Sequence, residues 1–173
     1  MEDNRKILIS AEQIAGRIKE TAAVIDEEYK DKNVLLVSVL KGAFVFLADF
    51  ARALTIPCEI GFMAAQSYGD STVSGGEVKI TLDLSRDISD YDVILVEDII
   101  DTGNTLYKLK EMLLARNPRS FRIITLLDKP SRRTSPIEAD MTLFTIEDKF
   151  VIGYGLDYAE KYRNLPDIEY IET

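Results

Sequence analysis

The stretch Val93-Ile94-Leu95-Val96-Glu97-Asp98-Ile99-Ile100-Asp101-Thr102-Gly103-Asn104-Thr105 decides the fold of this chain. Four aliphatic residues read as a buried strand, and acids then interrupt the run at Glu97, Asp98 and Asp101. An unpaired ionised carboxylate inside an apolar layer is costly, so the acidic pair is expected where the strand emerges, at its carboxyl end. That is where open α/β sheets bind ligands.

The next five residues sharpen the reading. Asp101-Thr102-Gly103-Asn104-Thr105 offers hydroxyls, a glycine and backbone N–H groups just ahead of the helical pattern Leu106, Leu109, Leu113. Main-chain donors and the positive end of a helix dipole attract a phosphate, and Gly103 lets the backbone come close to it. No Walker-type Gly-Lys-Ser/Thr is present. Carboxylates beside a phosphate would repel it unless they faced something else. Glu97 and Asp98 are therefore expected to point at sugar hydroxyls or a hydrated divalent cation, and a phosphorylated sugar with Mg²⁺ meets both demands.

Further stretches extend the pattern over nearly the whole chain: Leu40-Lys41-Gly42, Ser67-Tyr68-Gly69, Leu127-Asp128-Lys129-Pro130-Ser131-Arg132-Arg133, and the run from Asp148-Lys149-Phe150-Val151 to Asp157-Tyr158. Val93 to Thr105 resembles the phosphoribosyl diphosphate signature of the type I phosphoribosyltransferases. With the other stretches, the chain resembles the bacterial-type hypoxanthine (hypoxanthine-guanine) phosphoribosyltransferases of that family.

Composition bounds the rest. With 173 residues, 46% of them hydrophobic, the chain suits one globular domain spanning residues 1–173. A formal charge of -9, from 21 basic and 30 acidic residues, argues against a nucleic-acid partner held on a general basic surface. Anionic substrates must then be held by local donors and metal. The lone cysteine, Cys58, excludes an internal disulfide and suits a cytoplasmic setting. The complete lack of histidine excludes Ser-His-Asp and Cys-His nucleophile systems and leaves proton transfer to Asp, Glu, Lys or Tyr. Met1-Glu2-Asp3-Asn4 lacks the charge pattern of a signal peptide, and the apolar region from Val34 to Leu54 is broken by Lys41, Asp49 and Arg52, so no membrane segment is expected.

Ser10-Ala11-Glu12-Gln13 has the form of a capping box, and Ile14, Ile18, Ala22 and Ile25 follow at helical spacing, predicting a helix from about Ser10 to Tyr29. Strands are expected at Val34 to Val39, Cys58 to Met63, Val78 to Leu84, Val93 to Val96, Phe121 to Leu127 and Met141 to Ile146, with helices at Gly42 to Leu54 and Leu106 to Leu114. The polar, glycine-bearing stretch Gln66 to Glu77 reads as a mobile loop or a plain surface hairpin. This alternation gives an α/β fold with a mainly parallel central sheet and helices on both faces. The resemblance adds a small hood built from both chain ends.

The resemblance implies transfer of the 5-phosphoribosyl group from phosphoribosyl diphosphate to a 6-oxopurine, giving a nucleoside monophosphate and diphosphate, with Mg²⁺ as cofactor. Charge is the difficulty: the sugar becomes cationic as the leaving group gains negative charge, so cations are needed around diphosphate and a proton acceptor near the base. Asp101, which opens the phosphate loop, is expected as general base at purine N7, its alternative being a helix N-cap. The resemblance gives the phosphate loop to Asp101, Thr102, Gly103, Asn104 and Thr105, with no charge role for Asn104. It gives Lys41 and Gly42 to diphosphate, through a backbone that can hold an unusual cis peptide, where a snorkelling lysine is the alternative reading. Lys129 falls to the purine 6-oxo group, which a 6-amino group could not replace as acceptor. Phe150 falls to purine stacking, with a core phenylalanine as alternative, and the Val151 backbone to the purine edge. Glu97, Asp98 and Asp157 fall to ribose and metal, Arg163 to diphosphate, and Ser67 and Tyr68 to a closing loop. Other family members act on adenine, xanthine, orotate or uracil, and some proteins of this fold are nucleotide-sensing RNA-binding regulators. The family also implies a homo-oligomer, dimer or tetramer.

Overall fold

The structure, a computed structural model, describes residues 4–68 and 77–172. Its main sheet has six strands in the order β4-β3-β2-β5-β6-β7. In chain order these are β2 (Val34–Leu40), β3 (Cys58–Tyr68), β4 (Glu77–Leu82), β5 (Asp92–Ile100), β6 (Ser120–Asp128) and β7 (Met141–Thr145). Neighbours from β3 through β2, β5 and β6 to β7 are parallel, and only the edge strand β4 runs antiparallel, against β3.

The burial of β2 and β5 explains their place at the centre. Val34 to Val37 and Val93 to Val96 are all buried, as expected for strands covered on both faces. Helices α1 (Ala11–Glu28) and α2 (Phe44–Ala53) lie on one side, where Ile14, Ile18, Ile25, Phe46 and Phe50 join Leu36, Ile94 and Val96 in one core. Helix α3 (Asn104–Leu114) covers the other side through Leu106, Leu109 and Leu113, packed with Leu35, Val37, Val93 and Leu95. Ser10 caps α1 in the expected box: its hydroxyl accepts from Gln13 N at 3.2 Å, and the Gln13 side chain accepts from Ser10 N at 2.9 Å.

A second sheet of three antiparallel strands, β1 (Arg5–Ile9), β9 (Ile168–Ile171) and β8 (Val151–Ile152), is the expected hood. It unites both ends of the chain, and Ile9, Val151 and Ile168 join the core of α1 and α2.

Two expectations are corrected. Gln66, Ser67 and Tyr68 are not loop residues: they continue β3, paired with Lys79, Val78 and Glu77 of β4. The rest of that expected loop, 69–76, lies outside the described residues. Strand β5 does not end at Val96 but runs four residues further, to Ile100, and Glu97 and Asp98 lie near its carboxyl end, as expected.

Candidate active site

At the carboxyl end of β5, Glu97 lies opposite Thr125 of β6 in the parallel ladder. Both acids are partly accessible, yet protein surrounds most of each carboxylate. Burial pushes the Glu97 carboxyl well above the usual range, reinforced by the Asp98 charge and a hydrogen bond with it. Burial also pushes Asp98 up to about 6, against the pull of N–H donors from Ile99 and Asp98 and of the Arg163 charge, and with the help of Asp101. The Ile99 N–H donates to Asp98 Oδ1 at 2.6 Å. Two acids held this way are poised to take up a cation or hydroxyl donors.

The loop from Asp101 to Thr105 lines a cavity of about 110 Å³ together with Val39, Glu97 and Leu109. Gly103 is the N-cap of α3 at φ 79, a left-handed backbone position that favours glycine. A Cβ there would also strike Ile137 and Arg133, so the glycine fits its protein neighbours as well as any ligand. Asp101 lies before the cap and is exposed, with Oδ1 accepting from Thr102 N at 2.6 Å, so the helix N-cap reading of Asp101 fails. The loop is fastened from outside. Arg133 Nε donates to the Asp101 carbonyl at 3.0 Å, and the Thr102 carbonyl accepts from Thr134 N and Ser135 N, each at 3.1 Å. Asn104 Oδ1 accepts from the Thr134 hydroxyl at 3.0 Å and from that of Ser135, a tether that accounts for this residue without charge.

On the other flank, the peptide Leu40-Lys41 is cis. Gly42 presses on the acidic pair, since a Cβ there would fall on the Asp98 carboxylate. Gly155, at φ 99, in turn meets the Gly42 carbonyl where its own Cβ would be. Arg163 Nη1 donates to the Gly155 carbonyl at 2.8 Å, and its Nη2 lies 3.1 Å from Asp157 Oδ1. The ammonium of Lys41 is exposed and pairs with Glu160 Oε2 at 2.7 Å.

Lys129 follows β6 directly, its N–H donating to the Ile100 carbonyl at 2.9 Å, which sets it beside the end of β5. The residue is only 9% exposed, and its ammonium donates to the Lys149 carbonyl and stands 3.7 Å from Asp148 Oδ1. Val151 is buried in β8. Phe150 is 52% exposed, so it is not a core residue, and Tyr158 meets its ring edge-on with centroids 5.6 Å apart.

The structure thus joins Gly42, Asp98, Asp157 and Arg163 through the turn at Gly155, the loop 101–105 around its cavity, and Lys129 beside the Asp148–Val151 segment. Ser67 lies on β3, paired with Val78 of β4. Sequence reasoning passed over Arg133, Glu160, Tyr158 and the pair of Asp49 and Tyr154. The quoted stretches Leu127 to Arg133 and Asp148 to Tyr158 contain Arg133, Tyr154 and Tyr158, but nothing in local spacing shows what each would touch.

Among the described residues, no group of three or more His, Cys, Asp or Glu side chains forms a ready-made metal cluster. Mg²⁺ does not require one, because it takes oxygen ligands, keeps several waters and shares substrate oxygens. Glu97 and Asp98 fit that donor set. Asp157 supplies oxygens already engaged by Arg163 and by the Glu160 N–H at 2.8 Å.

A mainly parallel sheet with an acidic strand end, an anion loop leading into a helix and a hood made of both chain ends is the architecture of the type I phosphoribosyltransferases. Residues 5–159 match the family model described as the phosphoribosyl transferase domain, and the chain belongs to that family. It is 49% identical over 166 residues to the hypoxanthine-guanine phosphoribosyltransferase of Bacillus subtilis, covering 96% of this chain and 92% of that protein. It is 46% identical over 168 residues to the hypoxanthine phosphoribosyltransferase of Salmonella typhimurium, covering 96% and 94%. A crystal structure of a hypoxanthine phosphoribosyltransferase from Staphylococcus aureus superposes with a TM-score of 0.95 at 42% identity, over 99% of this chain and 93% of that one.

Proposed function

We propose that this chain is a purine-salvage transferase that moves the 5-phosphoribosyl group from phosphoribosyl diphosphate to hypoxanthine or guanine, forming IMP or GMP and releasing diphosphate. The observation that carries the reading is the half-buried acidic pair Glu97 and Asp98, its carboxyls pushed up by burial and in no salt bridge among the described residues, beside an anion-binding loop. A sugar phosphate with a divalent cation supplies what both features lack.

In this reading, main-chain donors of Thr102 to Thr105 hold the 5′-phosphate at the start of α3. Glu97 and Asp98 take the ribose hydroxyls and, with Asp157, would hold Mg²⁺, whose charge would offset that building on the departing diphosphate. The Lys41-Gly42 backbone and Arg163 hold the diphosphate. Phe150 stacks on the purine, the Val151 backbone meets its edge, and the Lys129 ammonium donates to the 6-oxo group. Asp101 accepts the proton from purine N7 as the new bond forms.

Residues 1–173 act in this reading as one catalytic domain, supported by the hood residues Ile9, Val151 and Ile168 sharing the core of α1 and α2. A cytoplasmic setting is supported by the lone cysteine, Cys58, and no helix of the described residues is long and apolar enough to cross a membrane. A homo-oligomer is supported by apolar side chains left on the surface: Phe44 (44% exposed) on α2, and Ile60 (42%), Phe62 (41%) and Leu82 (44%) on one face of β3 and β4. Light scattering that returned a monomer would remove that part.

The deciding experiment compares Mg²⁺-dependent turnover of hypoxanthine, guanine, xanthine, adenine, orotate and uracil with phosphoribosyl diphosphate. Hypoxanthine and guanine are expected to lead. Faster turnover of another base would overturn the specificity, and no turnover of any would overturn the activity.

A further inference from the structure

Lys41 and Arg163, the two side-chain cations near the proposed diphosphate position, meet on one carboxylate. Glu160 Oε2 lies 2.7 Å from Lys41 Nζ, and Glu160 Oε1 lies 3.3 Å from Arg163 Nη2. One oxygen on each cation is also how two diphosphate oxygens would engage them.

The backbone holds Glu160 in this place. Its own φ is 66, with Ala159 at 51 and Tyr162 at 76, so this short loop is bent by three non-glycine residues in the left-handed region. Its N–H donates to Asp157 Oδ2 at 2.8 Å. The contact is nevertheless easy to open: the side chains of Lys41 and Glu160 are 64% and 66% exposed. Nor does Glu160 exhaust Arg163, whose buried Nε has no acceptor among the described residues.

We propose that Glu160 is an internal counter-anion, which occupies Lys41 and Arg163 in the free enzyme and competes for them with the diphosphate group of the substrate and of the product. The proposal rests on the reading above that diphosphate binds at these two residues, and adds the Lys41 ammonium to the backbone contact given there. Without Glu160 the adjacent cations would hold the released diphosphate longer. With it, a carboxylate tethered a few ångströms away is ready to replace the leaving group. Exposed ion pairs contribute little net, which limits the competition to about fivefold.

The test is calorimetric titration of inorganic diphosphate with Mg²⁺ into the full chain, as wild type, Glu160→Gln and Lys41→Ala. Glu160→Gln is expected to tighten diphosphate binding by about three- to fivefold and to lower the KM for phosphoribosyl diphosphate, leaving the affinity for IMP, which has no diphosphate, unmoved. Glu160→Asn, better suited to the left-handed backbone, should act in the same direction and guards against a folding effect. If Lys41→Ala weakens diphosphate binding while neither Glu160 variant strengthens it, the counter-anion is wrong and the site assignment stands. If Lys41→Ala leaves binding unchanged, the Lys41 ammonium does not hold diphosphate and the counter-anion is wrong, while the contact through the Lys41-Gly42 backbone stands.

Discussion

The phenol of Tyr154 donates a hydrogen bond to the carboxylate of Asp49, tying the turn at Gly153 to Gly155 onto helix α2 across 105 residues of sequence. Tyr154 is only 6% exposed, and burial followed by this bond pushes its hydroxyl far above the usual range, so it stays protonated and remains a donor. The turn it anchors packs against Gly42, and Gly42 packs against Asp98. Tyr154→Phe removes one bond to a charged acceptor and should cost about 1.5–3 kcal/mol of stability. Because the turn supports the diphosphate side of the site, the KM for phosphoribosyl diphosphate should rise several-fold while that for the purine holds. Equal changes in both constants would mean that the bond serves stability alone.

The acidic pair makes stability depend on pH in a direction opposite to most carboxylates. The folded chain raises Asp98 from the usual 3.8 to about 6, and raises Glu97 as well, so the fold favours their protonated forms. Their contribution is full below the unfolded values, near 4, and is lost as pH rises through about 6. At pH 7.5, Asp98→Asn should therefore melt higher than wild type, by about 1–2 kcal/mol of stability, since it deletes one buried charge and keeps an oxygen for the Ile99 N–H. The difference should shrink towards pH 4.5, and Mg²⁺ with phosphoribosyl diphosphate should raise the wild type more than the variant. Differential scanning calorimetry across this range checks it, and a variant that melts lower at every pH would refute it.

Lys129 is buried with a carbonyl as its nearest partner, which leaves its ammonium ready to donate to a second acceptor. A hydrogen bond to a charged group contributes about 1.5–3 kcal/mol, so Lys129→Ala should lower kcat/KM for hypoxanthine by roughly 10- to 100-fold. Phosphoribosyl diphosphate binding, measured by calorimetry, should change little. Equal losses for both substrates would take Lys129 away from the purine.

How far these features could be read in advance depends on the distance over which each is determined. The capping box at Ser10 and Gln13 is local, and so is the strand, loop and helix from Val93 to Leu113, so both were legible in the sequence. The acidic pair lies near the strand's carboxyl end as expected, but β5 continues past the expected end at Val96 to Ile100, because the ladder with β6 carries on through Ile99 and Leu127. The hood strands escape periodicity altogether: β8 has two residues, and β1 pairs with β9 from the opposite end of the chain. The contacts of Glu160 and Tyr154 depend on a loop with several left-handed residues that are not glycine, a conformation with no reliable local signature.

Asp101 offers the sharpest separation of chemistry from structure. Its Oδ1 accepts from Thr102 N at 2.6 Å, and Arg133 holds its carbonyl, so the loop geometry needs an oxygen at this position and not a charge. Asparagine supplies that oxygen. In Asp101→Asn the loop should keep its shape and phosphoribosyl diphosphate its affinity, while the loss of a proton acceptor lowers kcat by about 10²- to 10⁴-fold. Steady-state turnover with hypoxanthine, together with calorimetric binding of phosphoribosyl diphosphate and Mg²⁺, reads the two effects apart. Full turnover in the variant would remove Asp101 as the base, whereas loss of binding in step with turnover would make it a part of the phosphate loop and nothing more.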